Sequence, residues 1–139
     1  MKLPAFPVNH DLALLILRLW LGVVGVFHGG QKLFGLFGGH GLKGFSDYLA
    51  SMNVPAPSVS AVLAALAEFA GGILVAIGLV PRAAAIPFLF TMLVAWATAH
   101  HFAFDSQKGG GEYALFIAVA LLVIIIAGPG KYAITRSSR

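Results

Sequence analysis

The chain has 139 residues, a formal net charge of +4, no cysteine, and 59% hydrophobic against 10% charged residues. A soluble domain carries about 25% charged residues, so this chain has too few to cover a surface that faces water, and a lipid-facing surface explains the deficit. The missing thiol excludes disulfide exchange, cysteine-ligated zinc and iron–sulfur clusters, and the scattered lysines and arginines form no stripe for nucleic acid.

Residues 1–11 do not read as a secretory signal. Lys2 is the one early basic residue, Pro4 and Pro7 precede the apolar run, and Arg18 sits inside it, so the segment is a retained first helix. A spanning helix takes about 20 mostly apolar residues. The first such stretch covers about 12–30, with Asn9 or Asp11 as its N-cap. Beyond it, Leu42, Phe45, Leu49 and Met52 recur at helical spacing with Lys43 and Asp47 on other faces. That pattern predicts a short amphipathic interfacial helix in the first external loop. Pro55 and Pro57 close the loop, and Ser58 is expected to cap a second span over 59–80. Pro81-Arg82 turns tightly into a third span, 83–99, with Pro87 in its first turns. The fourth, 113–129, is apolar only from Tyr113 to Ala127, short for a span, and is expected to gain a turn before Gly128-Pro129-Gly130 ends it. Residues 1–139 therefore read as a single all-α domain, an integral membrane four-helix bundle.

Four spans place both termini on one side. Lys2, Arg82, Lys131, Arg136 and Arg139 share it, against Lys32, Lys43 and Lys108 opposite, which predicts cytoplasmic termini. Loops 28–57 and 100–112 then face outward, and Tyr132 suits an interfacial anchor.

Only Arg18 and Glu68 of the formal charges fall inside the spans. Each alone would cost roughly 2.5–3.5 kcal/mol at mid-membrane, so each is expected to have a partner, and they are expected to pair. Counting rises, Arg18 lies roughly 9 Å and Glu68 roughly 18 Å from the cytoplasmic end. Gly22, Gly25 and Gly29 share the face of Arg18, and Ala61, Ala64, Ala65, Gly71 and Gly72 that of Glu68, so the helices can approach closely and leave a glycine-lined slot. The pair serves either as a structural ion pair that fixes register or as a proton-handling, ligand-polarising group.

A second polar group gathers at the outer ends. His28 closes the first span, followed by Gln31 and Lys32; His100 and His101 close the third; Glu112 opens the fourth. Thr91, Ala95 and Thr98 form a weakly polar seam leading up to the histidines. These residues are expected to converge with Glu68 on one outward-opening cavity. Four readings compete there: a quinone site, a His–carboxylate metal, a haem, and a hydrogen-bond cap with no ligand. No fixed ligand spacing such as HExxH marks a metal, and no motif implies a bound cofactor.

The run Leu17-Arg18-Leu19 with Phe27-His28-Gly29-Gly30-Gln31-Lys32-Leu33-Phe34-Gly35 resembles the opening of the DoxX family of bacterial membrane proteins. Leu66-Ala67-Glu68-Phe69-Ala70-Gly71-Gly72, Gly78-Leu79, Arg82, Met92-Leu93-Val94-Ala95 with His100, Gly110-Gly111-Glu112-Tyr113 and Gly128-Pro129-Gly130 continue the match in order over nearly the whole chain. The family is similar to the small subunit of thiosulfate:quinone oxidoreductase and to membrane components of redox-stress complexes. The resemblance implies a multi-pass four-helix bundle in the bacterial cytoplasmic (inner) membrane, near the quinone pool, with Arg18, His28, Gln31, Lys32, Glu68, His100 and Glu112 on the family's polar positions. Two departures stand out: His101 doubles a single histidine, and Phe102-Ala103-Phe104-Asp105 matches the family's loop only loosely.

The leading expectation is a quinone-linked oxidoreductase or its membrane subunit. Arg18, Glu68, His28 and His100 would be catalytic, with His28, Gln31, Lys32, His100, His101 and Glu112 around the ring. No flavin, haem or nicotinamide motif is present, so electrons would come from a redox partner protein or a small substrate. The alternatives are a non-catalytic anchor or assembly subunit, alone or as an oligomer in the bilayer, and a small-molecule or proton pathway.

Overall fold

The computed structural model describes residues 7–135. Lys2, Pro4, Arg136 and Arg139, which enter the leader and charge-balance readings, lie outside the described residues. Five α-helices follow in order: α1 His10–Phe34, α2 Gly41–Ser51, α3 Pro57–Ile77, α4 Pro81–Thr98 and α5 Glu112–Ala127. Short 3-10 turns lie at Leu36–Gly38 and Ser106–Lys108, and the described residues contain no strand.

α1, α3 and α4 are long and apolar enough to cross a membrane. The structure extends α1 past its expected limits because Asn9 accepts the Leu12 N–H at 3.0 Å at one end and Gly35 closes the other in the left-handed conformation. Asp11 is no cap; its Oδ1 instead accepts the Lys131 N–H at 2.8 Å. α5 gains no extra turn. Gly128 leaves the helix at φ 86° and Pro129 follows without a donor, so α5 stays at 16 residues, about 24 Å of rise.

The starts of α3 and α4 correct two expectations. Ser58 does not cap α3: Ala56 holds the N-cap position at φ 45° with Pro57 at the first helical position, and the Ser58 hydroxyl lies 3.2 Å from that of Ser46 on α2. Val80 repeats the arrangement ahead of Pro81, so Pro81 begins α4 rather than forming a separate turn. Pro87 lies inside α4, where Thr91 Oγ1 donates to the Pro87 carbonyl at 2.9 Å.

α3 packs between α1 and α4, α5 lies along α4, and α1 meets α5 over a much shorter stretch than it meets α3. α2 lies across α3 and α1, burying Leu49, while Lys43 and Asp47 form an exposed ion pair at 3.0 Å. The core gathers Leu21, Val75, Phe88, Leu121 and Ile124 from all four long helices. Trp20, Phe90, Phe116 and Ile126 point outward instead, an apolar exterior that suits lipid. The starts of α1 and α4 and the ends of α3 and α5 share one end of the bundle, here the terminal end; α2 and the 99–111 loop share the other, the loop end.

Between α1 and α3 the glycines are closed against backbone, which removes the expected slot. A Cβ on Gly25 would lie 2.9 Å from Gly72 Cα, and one on Gly29 would lie 2.5 Å from Phe69 N. The small residues bring the two backbones into contact and leave no ligand space there.

Candidate functional site

Arg18 and Glu68 are both buried, and each has its partner elsewhere. Lys32 Nζ pairs with Glu68 Oε1, whereas Arg18 Nη2 donates to the Tyr132 carbonyl beyond α5. Side-chain direction accounts for both. A helical Cα–Cβ bond tilts toward the helix N-terminus. On α1, Arg18 and Lys32 therefore both lean toward the terminal end; on antiparallel α3, Glu68 leans toward the loop end. Lys32 and Glu68 lean into each other, while Arg18 leans away. Arg18 reaches the level of Gly78, where an added Cβ would run into Nη1, and Gly78 is ten residues, about 15 Å, along α3 from Glu68.

Glu68 is 1% exposed and Lys32 26%, so the pair joins a sealed carboxylate to a partly open ammonium. Glu68 Oε2 has no hydrogen-bond partner among the described residues, nor have Arg18 Nε and Nη1. Lys32 Nζ also stands 5.1 Å from the Phe45 ring centroid, a cation–π contact that carries the site to α2. There a cavity of about 280 Å³ is lined by Gln31, Lys32, Phe45, Tyr48 and the glycines of the 38–44 segment. Gln31 Nε2 donates to the Phe37 carbonyl at 3.2 Å, which holds the amide at the edge of this cavity and leaves it a second N–H.

The loop-end histidines and Glu112 stand apart from that cavity. His28 sits edge-on to Tyr113, ring centroids 6.2 Å apart, and Gly111 backs onto the His100 ring, so both histidines flank the first turn of α5. Their polar atoms do not gather on a shared point. His100 Nδ1 is 2.9 Å from the Gly109 carbonyl, and Glu112 Oε1 accepts from the Ser106 hydroxyl and from the Ser106 N–H at 2.9 Å. Glu112 lines a separate groove with Phe104 and Phe116 on the outside of α5, and His101 is exposed at φ 49°. Thr98 Oγ1 donates to the Val94 carbonyl at 2.8 Å, back along its own helix like Thr91, so the two hydroxyls form no ladder toward the histidines. Among the described residues no group of three His, Asp or Glu side chains is placed to hold a metal ion.

Sequence reasoning had Lys32 and Gln31 among the site residues, yet missed the Lys32–Glu68 pairing and the parts played by Phe45, Tyr48 and Tyr132. The available signal was side-chain tilt on antiparallel helices, together with Phe45 and Tyr48 three residues apart on one face of α2.

The DoxX family profile matches residues 13–101. The chain is similar to the inner membrane protein YphA of Escherichia coli (strain K12), 27% identical over 137 residues that cover 94% of each chain. It is also similar to the inner membrane protein YqjF of the same organism, 28% identical over 128 residues covering 91% of this chain and 92% of that one. No solved structure matches it.

Proposed function

The chain belongs to the DoxX family, and from that membership we propose an inner-membrane protein of four spans serving as the membrane subunit of a quinone-linked oxidoreductase. The observation that carries this reading is the aromatic-walled cavity beside Lys32, with Glu68 buried behind it. Its 280 Å³ lies just below the usual range of ligand pockets, about 300–1,000 Å³, which suits one quinone ring without its tail. Across the turn at Leu36–Gly38, an apolar groove lined by Val23, Val26, Phe27 and Phe37 on the outer side of α1 and α3 offers the tail a path in lipid.

The donor set fits such a ring. The Lys32 ammonium and the second Gln31 N–H can donate to ring oxygens, and the aromatic side chains of Phe45 and Tyr48 suit a flat ring. A bound quinone would supply a two-electron, two-proton acceptor. Glu68 holds Lys32 in place by their ion pair, and its unpartnered Oε2 offers an acceptor oxygen inside the bundle. Electrons, in this reading, come from a redox partner protein or a small substrate. In this reading α5 is the fourth span, α2 lies in the outer interface and both termini are cytoplasmic. Reporter fusions at Lys43 and Lys108 then read as external, and a fusion after Arg139 as cytoplasmic; the reverse pattern sinks the orientation.

Extraction of the purified protein tests the function. Wild type is expected to carry quinone, and Lys32→Gln to retain about tenfold less while inserting normally, since a hydrogen bond to a charged group contributes about 1.5–3 kcal/mol. Wild type without quinone refutes this reading and favours a non-catalytic anchor or assembly subunit. The unpartnered Glu68 Oε2 also supports a second reading, a proton pathway. Proton flux in liposomes that Glu68→Gln abolishes is its signature.

A further inference from the structure

The opposite end of the molecule holds a second feature. Between α1 and α5, which touch over only a short stretch, a cavity of about 1140 Å³ opens at the terminal end and forms a seam. Its floor is apolar, from Leu14, Leu17, Val123 and Ala127, while His10 and Lys131 stand at its mouth. Asp11 shares that mouth, its Oδ1 already engaged by the Lys131 N–H.

Behind this wall lies a charge with no counter-charge among the described residues. Tyr132 lines the cavity, and its carbonyl accepts from the buried Arg18 guanidinium, whose Nε and Nη1 have no partner among the described residues. The ion pairs among the described residues are Lys32–Glu68 and Lys43–Asp47, so no acidic side chain there neutralises Arg18. A buried cation is costly unless compensated, and in a low-dielectric surround its field reaches neighbouring space with little screening. The seam thus sets the Lys131 ammonium and the Asp11 carboxylate at the edge of an apolar floor, beside the buried Arg18 guanidinium.

We propose that this seam holds an anionic phospholipid, its phosphate at Lys131 and His10 and an acyl chain along Leu14, Leu17 and Val123. The phosphate offers the countercharge that the buried guanidinium lacks, and the chain fills a floor that free phosphate would leave bare. A zwitterionic lipid fits the same floor but brings its own cation toward Lys131 and the buried guanidinium. The site is independent of the cavity under α2 and of any quinone bound there.

The test titrates the full chain in detergent with phosphatidylglycerol and with phosphatidylcholine of the same acyl length, followed by native mass spectrometry. Phosphatidylglycerol is expected to bind more tightly. Lys131→Gln, at an exposed position, should weaken it about fivefold and leave phosphatidylcholine unchanged, the effect of one cation near a lipid surface. Leu14→Trp, which fills the floor, should weaken both lipids. Unfolding temperatures of the two variants confirm that the fold survives. Equal affinity for the two lipids, indifference of phosphatidylglycerol to Lys131→Gln, or indifference of both lipids to Leu14→Trp overturns the proposal. Displacement of phosphatidylglycerol by inorganic phosphate overturns it too, because the site would then serve a free anion.

Discussion

The α1–α3 pair and the α4–α5 pair are both antiparallel and apolar, yet opposite means hold them. α1 and α3 meet through small residues, with Gly22 against Ala76, Gly25 against Gly72 and Gly29 against Phe69, and this pair carries Arg18, Lys32 and Glu68. α4 and α5 interlock larger side chains around Phe88, Leu121 and Ile124, and an Arg82 hydrogen bond to the Ile126 carbonyl at 3.2 Å joins them at their ends. In lipid no hydrophobic force drives helices together, so packing and hydrogen bonds must do so. Close backbones let a lysine on one helix reach a glutamate on the other. Interlocked side chains leave no such reach. One pair is therefore sensitive to added atoms and to lost charges, the other to removed atoms.

Gly25→Ala should break this contrast most sharply. Its methyl group meets Gly72 and the Glu68 backbone, neither of which can swing aside, so the cost is expected to be about 3 kcal/mol or more. Leu121→Ala removes three carbons from the other pair and should cost about 2 kcal/mol, the low end for a buried leucine because lipid-soluble cores lack the full water-transfer gain. Unfolding in detergent with Leu121→Ala the worse of the two would reverse the comparison.

Charge removal comes next. Lys32→Gln and Glu68→Gln are each expected to cost about 2–3 kcal/mol, and the double variant at least about 1 kcal/mol less than their sum. Arg18→Gln combined with Glu68→Gln should instead add within about 0.5 kcal/mol, because the two residues touch different partners. Coupling in the second pair and additivity in the first would restore an Arg18–Glu68 bridge. The smallest effect belongs to the loop end: His100→Ala and Glu112→Gln should change quinone retention by less than about twofold, the side chains being engaged by Gly109 and Ser106. A larger loss would return those residues to the binding site.

The helical character and the apolar exterior were legible in the sequence because both follow from composition and local pattern. Leu42, Phe45 and Leu49 marked α2, and the glycine and alanine spacing marked the faces on which α1 and α3 meet. Direction was missed, although side-chain tilt on antiparallel helices carries it. Counting rises places Cα atoms at a depth but says nothing of where long side chains lean, and Arg18 and Lys32 span several ångströms beyond their own backbone. The outer polar group misled for a related reason. His28, His100 and Glu112 share a depth, yet Ser106 and Gly109, in a loop with no periodic signal, hold two of them. Left-handed Ala56 and Val80 were hidden as well, since nothing in an alanine or a valine announces φ near 45°.

The hydrogen bond from Arg18 to the Tyr132 carbonyl joins residues 114 positions apart. At about 5–20 residues per second, a ribosome makes that acceptor roughly 6–23 s after the arginine. Glu68, 36 positions beyond Lys32, follows its partner within roughly 2–7 s. During the longer wait α1 holds a guanidinium whose final acceptor does not yet exist. The first helix therefore holds a provisional arrangement until the segment that carries Tyr132 folds back across the end of the bundle.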